Sequence, residues 1–170
     1  QSDFSAIFIG KRGENANYAK GHLGSMVERV VRKAIVPVFI SARSRRVPRR
    51  VLIAYDGSEH ARTALDFVAT HAQFSGLELL LITVAEDRDS ELYAGFLREA
   101  EDLLRSSQRK AVFQILGGEP EDTIATYVDE KGIDLVIMGA YGHSRVRHFF
   151  IGSTTSEMIR RCKVPILCFR

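Results

Sequence analysis

The chain has 170 residues, is 45% hydrophobic and carries a formal net charge of +3, which excludes a highly charged disordered polymer and allows a buried core. No run approaches the roughly 18 to 20 apolar residues of a membrane-spanning helix, so a soluble protein is expected. Two cysteines, Cys162 and Cys168, with no Cys or His pairs at ligand spacing, argue against zinc and point to buried free thiols.

Ala6-Ile7-Phe8-Ile9 is a strand-like run leading into Gly10-Lys11-Arg12-Gly13. Ten residues then separate Gly13 from Gly24-Ser25, where a helix-like stretch begins that closes at Val36-Pro37, and Val36 to Ile40 reads as a second strand. Two strands and one helix cannot cover both faces of a sheet, so this segment needs a partner. The run from Arg43 to Arg50 carries much of a charge asymmetry: residues 1–50 hold 11 Lys/Arg and 3 Asp/Glu, the remaining 120 hold 13 and 18. Such a cluster suits nucleic-acid contact. Without an aromatic or groove-reading motif beside it, it reads instead as a solvated basic linker over residues 43–49, and nucleic acid is not an expected partner.

From residue 50 strands and helices alternate. Val51 to Tyr55 is a strand ending at Asp56-Gly57-Ser58, and Ser58 is suited to cap a helix with the apolar stripe Ala61, Leu65, Val68 and Ala72. Leu77 to Val84 is almost continuously apolar, as expected of a parallel strand covered on both faces. A helix over about 90–106 presents Leu92, Phe96, Ala100 and Leu103; Ala111 to Leu116 is the third strand; Glu119-Pro120-Glu121-Asp122 opens the next helix. Asp134 to Met138, a helix over about 153–162, and Pro165 to Phe169 complete the series. The pattern predicts an α/β fold: a doubly wound, five-stranded parallel sheet of order 3-2-1-4-5 with helices on both faces. Ligands bind such sheets where the winding direction reverses, here between the strands ending at Asp56 and Gly139.

Gly139-Ala140-Tyr141-Gly142, nine residues, then Gly152-Ser153-Thr154-Thr155 repeat the wording of the amino end. Gly24, Ser25, Arg32, Val36 and Pro37 return as Gly152, Ser153, Arg160, Val164 and Pro165 at a constant offset of 128. The glycines suit a phosphate cradle, since without a Cβ the backbone amides approach an anion closely. The helix that follows supplies free amides and hydroxyls at its positive end, and Arg145, Arg147 and His148 would add positive potential. The plainer alternative is that the glycines only make turns. Asp56 likewise suits either a ligand contact or the cap of the next helix.

Gly139-x2-Gly142-x9-Gly152-Ser153 resembles the nucleotide-binding signature of the universal stress protein family, and Val51 to Ser58 resembles that family's opening strand. The resemblance covers 50–170 as one complete domain and 1–42 as the carboxyl-terminal part of another, in the manner of the tandem-domain branch. It implies a cytoplasmic stress-response protein that binds ATP or AMP, with or without Mg2+ and with no tightly bound metal, and acts by binding rather than by catalysis. It implies that Ala54, Asp56 and Val84 line the base and ribose region and that Met138 and Gly139 meet the nucleoside. Gly142, Gly152, Ser153, Thr154 and Thr155 would hold the phosphates. Tyr141 stands where some ATP-binding members have histidine. Pairing through the last strands is also implied, either in a homodimer or between the repeats, with Val36 to Ile40 beside Pro165 to Phe169. The first copy has ten residues where the second has nine, so it is not expected to hold nucleotide alone. The alternative reading is a structural or interaction module of the same family that binds no nucleotide.

Overall fold

A computed structural model describes residues 6–11, 25–42, 47–85, 91–140 and 153–170, with the backbone alone at Ser25 and Ser153. The elements in chain order are β1 (Ile7–Gly10), α1 (Ser25–Lys33), β2 (Val38–Ser41), β3 (Arg50–Ala54) and α2 (Glu59–Thr70). A 3-10 turn at Ala72–Phe74 precedes β4 (Glu78–Ala85), α3 (Glu91–Ser106), β5 (Ala111–Gly117) and α4 (Pro120–Lys131). β6 (Leu135–Gly139), α5 (Ser153–Arg161) and β7 (Ile166–Phe169) follow.

The strands form one sheet of seven, in the order β1-β2-β7-β6-β3-β4-β5. Counted from β3, the five later strands run 3-2-1-4-5 and pair in parallel. The sequence predicts these five as one sheet and places Val36 to Ile40 beside Pro165 to Phe169, where β2 and β7 indeed pair. The other two extend the same sheet because β2 lies antiparallel against β7, with Phe39 opposite Leu167, which covers an edge that β7 would otherwise expose. The amino-terminal segment thus finds its partner within the chain. The Lys11 Nζ to Cys162 carbonyl and Arg170 guanidinium to Arg32 carbonyl hydrogen bonds add to the seam.

Two apolar clusters sandwich the sheet. On one face α1, α4 and α5 pack through Val27, Val31, Ile124, Val128, Met158 and Ile159. On the other, α2 and α3 pack through Ala61, Leu65, Val68, Ala100 and Leu104. The predicted helical stripes need two corrections. α2 stops at Thr70, so Ala72 falls in the following turn and is exposed, and Phe74 fills the space beneath. On α3 the buried line is Tyr93, Ala100 and Leu104, while Leu92 is 48% exposed. The helix is rotated by about one residue because both Leu92 and Tyr93 open a plausible 3.6-residue stripe, and the larger aromatic goes inside. Both cysteines are buried and free, as expected.

Candidate functional site

β3 and β6 are neighbours, with Ala54 opposite Met138 at their carboxyl ends. From there the chain leaves into α2 on one face and towards α5 on the other, which leaves a crevice above the strand ends. On the α4–α5 face of this crevice alternate residues form an apolar shelf. Met138 is buried, and Ala54, Val84 and Leu116 pack against the same core while remaining half-exposed. Partly exposed apolar side chains at the tips of otherwise buried strands leave room for a flat apolar group. Ile82 beside Ala54 and Leu116 beside Val84 fix their spacing.

α4 and α5 begin at the same end of the sheet. Their first turns touch where the Thr154 hydroxyl lies 3.4 Å from Glu121 Oε2. Two helix amino ends therefore meet at this end of the sheet, that of α5 offering a positive dipole end and that of α4 carrying the acidic Glu121 and Asp122. Thr155, in the same turn of α5, is buried. Ser153 opens α5. Tyr141, Gly142 and Gly152, with Arg145, Arg147 and His148, lie outside the described residues.

Asp56 is exposed and builds the turn into α2. Its Oδ1 accepts the Ser58 N–H at 3.0 Å, and Ser58 Oγ in turn accepts the Ala61 N–H at 3.2 Å, capping the helix. Ser58 is thus the cap itself, and Asp56 braces the turn that places it. Asp56→Ala is expected to cost about 1 kcal/mol, the worth of one such hydrogen bond, readable as a small shift in the urea midpoint. Gly57 between them adopts φ +70°, and a Cβ there would run into the Phe96 ring.

Gly139 lies at the strand end where the sequence places it, and it also has a packing role. It is the last residue of β6, and alternation turns it to the face opposite Met138. A Cβ at Gly139 would sit 2.7 Å from the Ala61 nitrogen and 3.0 Å from the His60 carbonyl carbon. The glycine lets α2 close on the strand end. His60 fastens this junction, its Nδ1 lying 3.0 Å from the Ala140 carbonyl. A carbonyl only accepts, so Nδ1 carries the proton. Behind it, the buried Thr83 hydroxyl donates to the Tyr55 carbonyl at 2.8 Å and ties β4 to β3. The Tyr55 ring packs edge-on to Phe96, beside the paired Arg62 and Glu99. Burial, with the Glu99 carboxylate second, pushes the Tyr55 phenol up to about 12.

His60, Leu116 and Thr83 were not singled out by sequence. Leu116 was legible in principle, being the last apolar residue of its strand and in phase with the shelf. His60 carries no such signal, since its partner is a backbone carbonyl 80 residues away.

The profile of the universal stress protein family matches residues 48–170. The chain belongs to the universal stress protein family. It is 38% identical over all 170 residues to a universal stress protein of Synechocystis, spanning 59% of that protein. A crystal structure of a universal stress protein from Archaeoglobus fulgidus is 31% identical and superposes with a TM-score of 0.74, covering 99% of this chain and 61% of the other. The chain thus spans about three fifths of the length of these two relatives. A universal stress protein crystallised in complex with cAMP is 25% identical, with a TM-score of 0.60 over 74% of this chain and 98% of its own. In this universal stress protein the opening strand and its Asp56 turn stand beside the end of β6, as the resemblance implies.

Proposed function

We propose that the chain binds an adenine nucleotide, ATP or AMP, in the crevice above β3 and β6 and acts in a stress response through that binding. The observation that carries this reading is the apolar shelf of Ala54, Val84, Leu116 and Met138, bordered by the amino ends of α4 and α5. A purine suits the shelf and the phosphates suit the amino end of α5, with the amides of Gly142, Gly152 and Ser153 as their holders in the family resemblance. The cAMP complex of a similar protein supports the same ligand class. Among the described residues no group of three or more metal-binding side chains gathers, so Mg2+ would enter on the phosphates rather than wait in a protein cage.

We further read β1, α1 and β2 as the last third of a second copy of the fold, 43–49 as the linker and 50–170 as the complete copy. In this reading the edge of β7, the family's pairing strand, is taken by β2 instead of by a second chain, and the protein works in the cytoplasm. Among the described residues no helix is long and apolar enough to cross a membrane.

Mass spectrometry of small molecules released from the purified protein, then calorimetric titration of ligand-free protein with ATP, ADP and AMP, tests the proposal. Absence of heat at millimolar nucleotide would sink it. Val84→Arg, which places a guanidinium on the shelf, is expected to weaken binding at least tenfold, on the order of the cost of an unpaired polar group against an apolar ligand face. Gly152→Val is expected to abolish binding by crowding the phosphates. Unchanged affinity in both variants would remove the ligand from this crevice.

A further inference from the structure

The outer edge of β7 is covered by β2, but β5, the last strand on the other side of the sheet, pairs with β4 alone among the described residues. Its seven residues, Ala111–Gly117, match β4 without interruption, so no bulge bends the edge away. The strand also lacks proline and charged side chains, the other usual protections of an edge. None of its residues is fully buried, and Val112 is 52% exposed. Ala111 and Phe113 pack against the α2–α3 core, and with Leu103 of α3 they stay half-buried at its rim.

The ladder fixes which backbone groups of β5 lie open. The Glu78 N–H donates to the Arg49 carbonyl and the Tyr55 N–H to the Ile82 carbonyl, both at 2.9 Å, so the even-numbered residues of β4 face β3. Its odd-numbered residues therefore face β5, because the backbone groups of a parallel strand alternate between its two sides. Each of them bonds to the two residues flanking its opposite, and Leu79 lies opposite Ala111. Val112, Gln114 and Leu116 are thus bonded to β4. The N–H and C=O groups of Ala111, Phe113, Ile115 and Gly117 point to the open edge.

The two ends of this edge differ in charge. Lys110, exposed, precedes β5, and Glu119, also exposed, follows it at the start of α4. We infer that the open edge of β5 is the seat of a second copy of this chain, joined antiparallel across a two-fold axis at Gln114 into one continuous sheet. In that register Ala111 lies opposite Gly117 and Phe113 opposite Ile115, and each open residue exchanges its N–H and C=O bonds with its opposite. Phe113 against Ile115 is a favourable aromatic–β-branched pair, and Val112 meets Leu116 on the other face. Lys110 of each copy comes beside Glu119 of the other. This match at both ends is what selects a second copy, since the same strand laid parallel would bring like charges together. A two-fold contact also closes, so it joins two chains and no more.

Sedimentation velocity of the 170-residue chain, combined with amide exchange over a range of concentrations, is the test. A shift from one chain to two is expected as concentration rises towards about 100 μM, the range of a modest interface. Exchange at Ala111, Phe113, Ile115 and Gly117 should slow by about tenfold or more over the same range, with little change at Val112, Gln114 and Leu116. Ile115→Pro removes an N–H on the open side and keeps the β4–β5 ladder, so it should give a folded chain that no longer pairs. Lys110→Glu and Glu119→Lys should each weaken pairing by about fivefold, counting both symmetric contacts, and the double reversal should restore it. A chain that stays single at about 1 mM overturns the inference. So does a dimer whose open-edge amides remain unprotected, a dimer indifferent to these substitutions, or an assembly that grows past two chains.

Discussion

Gly139→Ala is expected to destabilise the protein by about 3 kcal/mol, the upper end of the usual cost of overpacking, and so to lower the thermal midpoint by roughly 6–12 °C. The added methyl would meet the Ala61 nitrogen at 2.7 Å and the Ala61 Cα at 3.2 Å. These are backbone atoms in the first turn of a capped helix and cannot rotate aside as a long side chain would. Relief requires α2 to lift from β6, which opens the buried layer of Ala61, Ala64, Leu65 and Ile137 and strains the His60 to Ala140 hydrogen bond. Gly95→Ala is the matched control. No atom lies within 4 Å of its added Cβ, and the site is inside α3, so exchanging glycine for a better helix former should gain about 0.5–1 kcal/mol. Thermal unfolding followed by circular dichroism measures both. A Gly139→Ala midpoint equal to or above that of the wild type would refute the packing role and return this glycine to the ligand alone.

The second large effect is alkaline. Burial alone pushes the Cys168 thiol up to about 12, and burial aided by Glu99 pushes the Tyr55 phenol to about the same value. In an unfolded chain the two titrate near about 8.5 and 10. Between those values and about 12 the native state keeps protons that the unfolded state releases. Stability from these groups is therefore complete below about pH 8.5 and is lost as pH rises, at up to about 1.4 kcal/mol per pH unit for each group. Urea midpoints followed between about pH 8 and 11 should fall accordingly, and Cys168→Ala or Tyr55→Phe should each make the fall shallower. The Tyr55 hydroxyl is buried and makes no hydrogen bond among the described residues, so Tyr55→Phe should lose nothing at neutral pH. Equal steepness in wild type and both variants would place the alkaline weakness elsewhere.

Much of this architecture was legible in the residues. Continuous apolar runs such as Leu79 to Ile82 can only be strands buried on both faces, and Ser58 between a strand and an apolar stripe can only be a cap. The crevice followed from topology, whereas Ala54, Val84 and Met138 were named through the family resemblance, and the structure brings them together on one face. What escaped the sequence depends on direction and distance. Gly139 was legible as a motif glycine at a strand end, but its packing role was not, because that depends on how closely the first turn of α2 approaches β6. The one-residue rotation of α3 was hidden because Leu92 and Tyr93 both fit a helical stripe. The seam of the seven-stranded sheet was half legible: the last strands of the two copies were expected side by side, but the residues did not say whether within one chain or between two. Site residues 141, 142 and 152 fall outside the described residues.

The antiparallel seam between β2 and β7 joins residues 38–41 to residues 166–169, and this has a consequence for synthesis. Parallel βαβ units such as β3–α2–β4 can assemble as they leave the ribosome, each strand finding a neighbour made shortly before. β2 finds β1 in this way, but its other neighbour, β7, is made only after β3 to β6. The edge of β2 that faces β7 must wait through the translation of β3 to β6, the period when an unpaired edge is most open to wrong partners. The basic run over 43–49 that follows β2, repelling itself and remaining hydrated, would keep that waiting edge in solution.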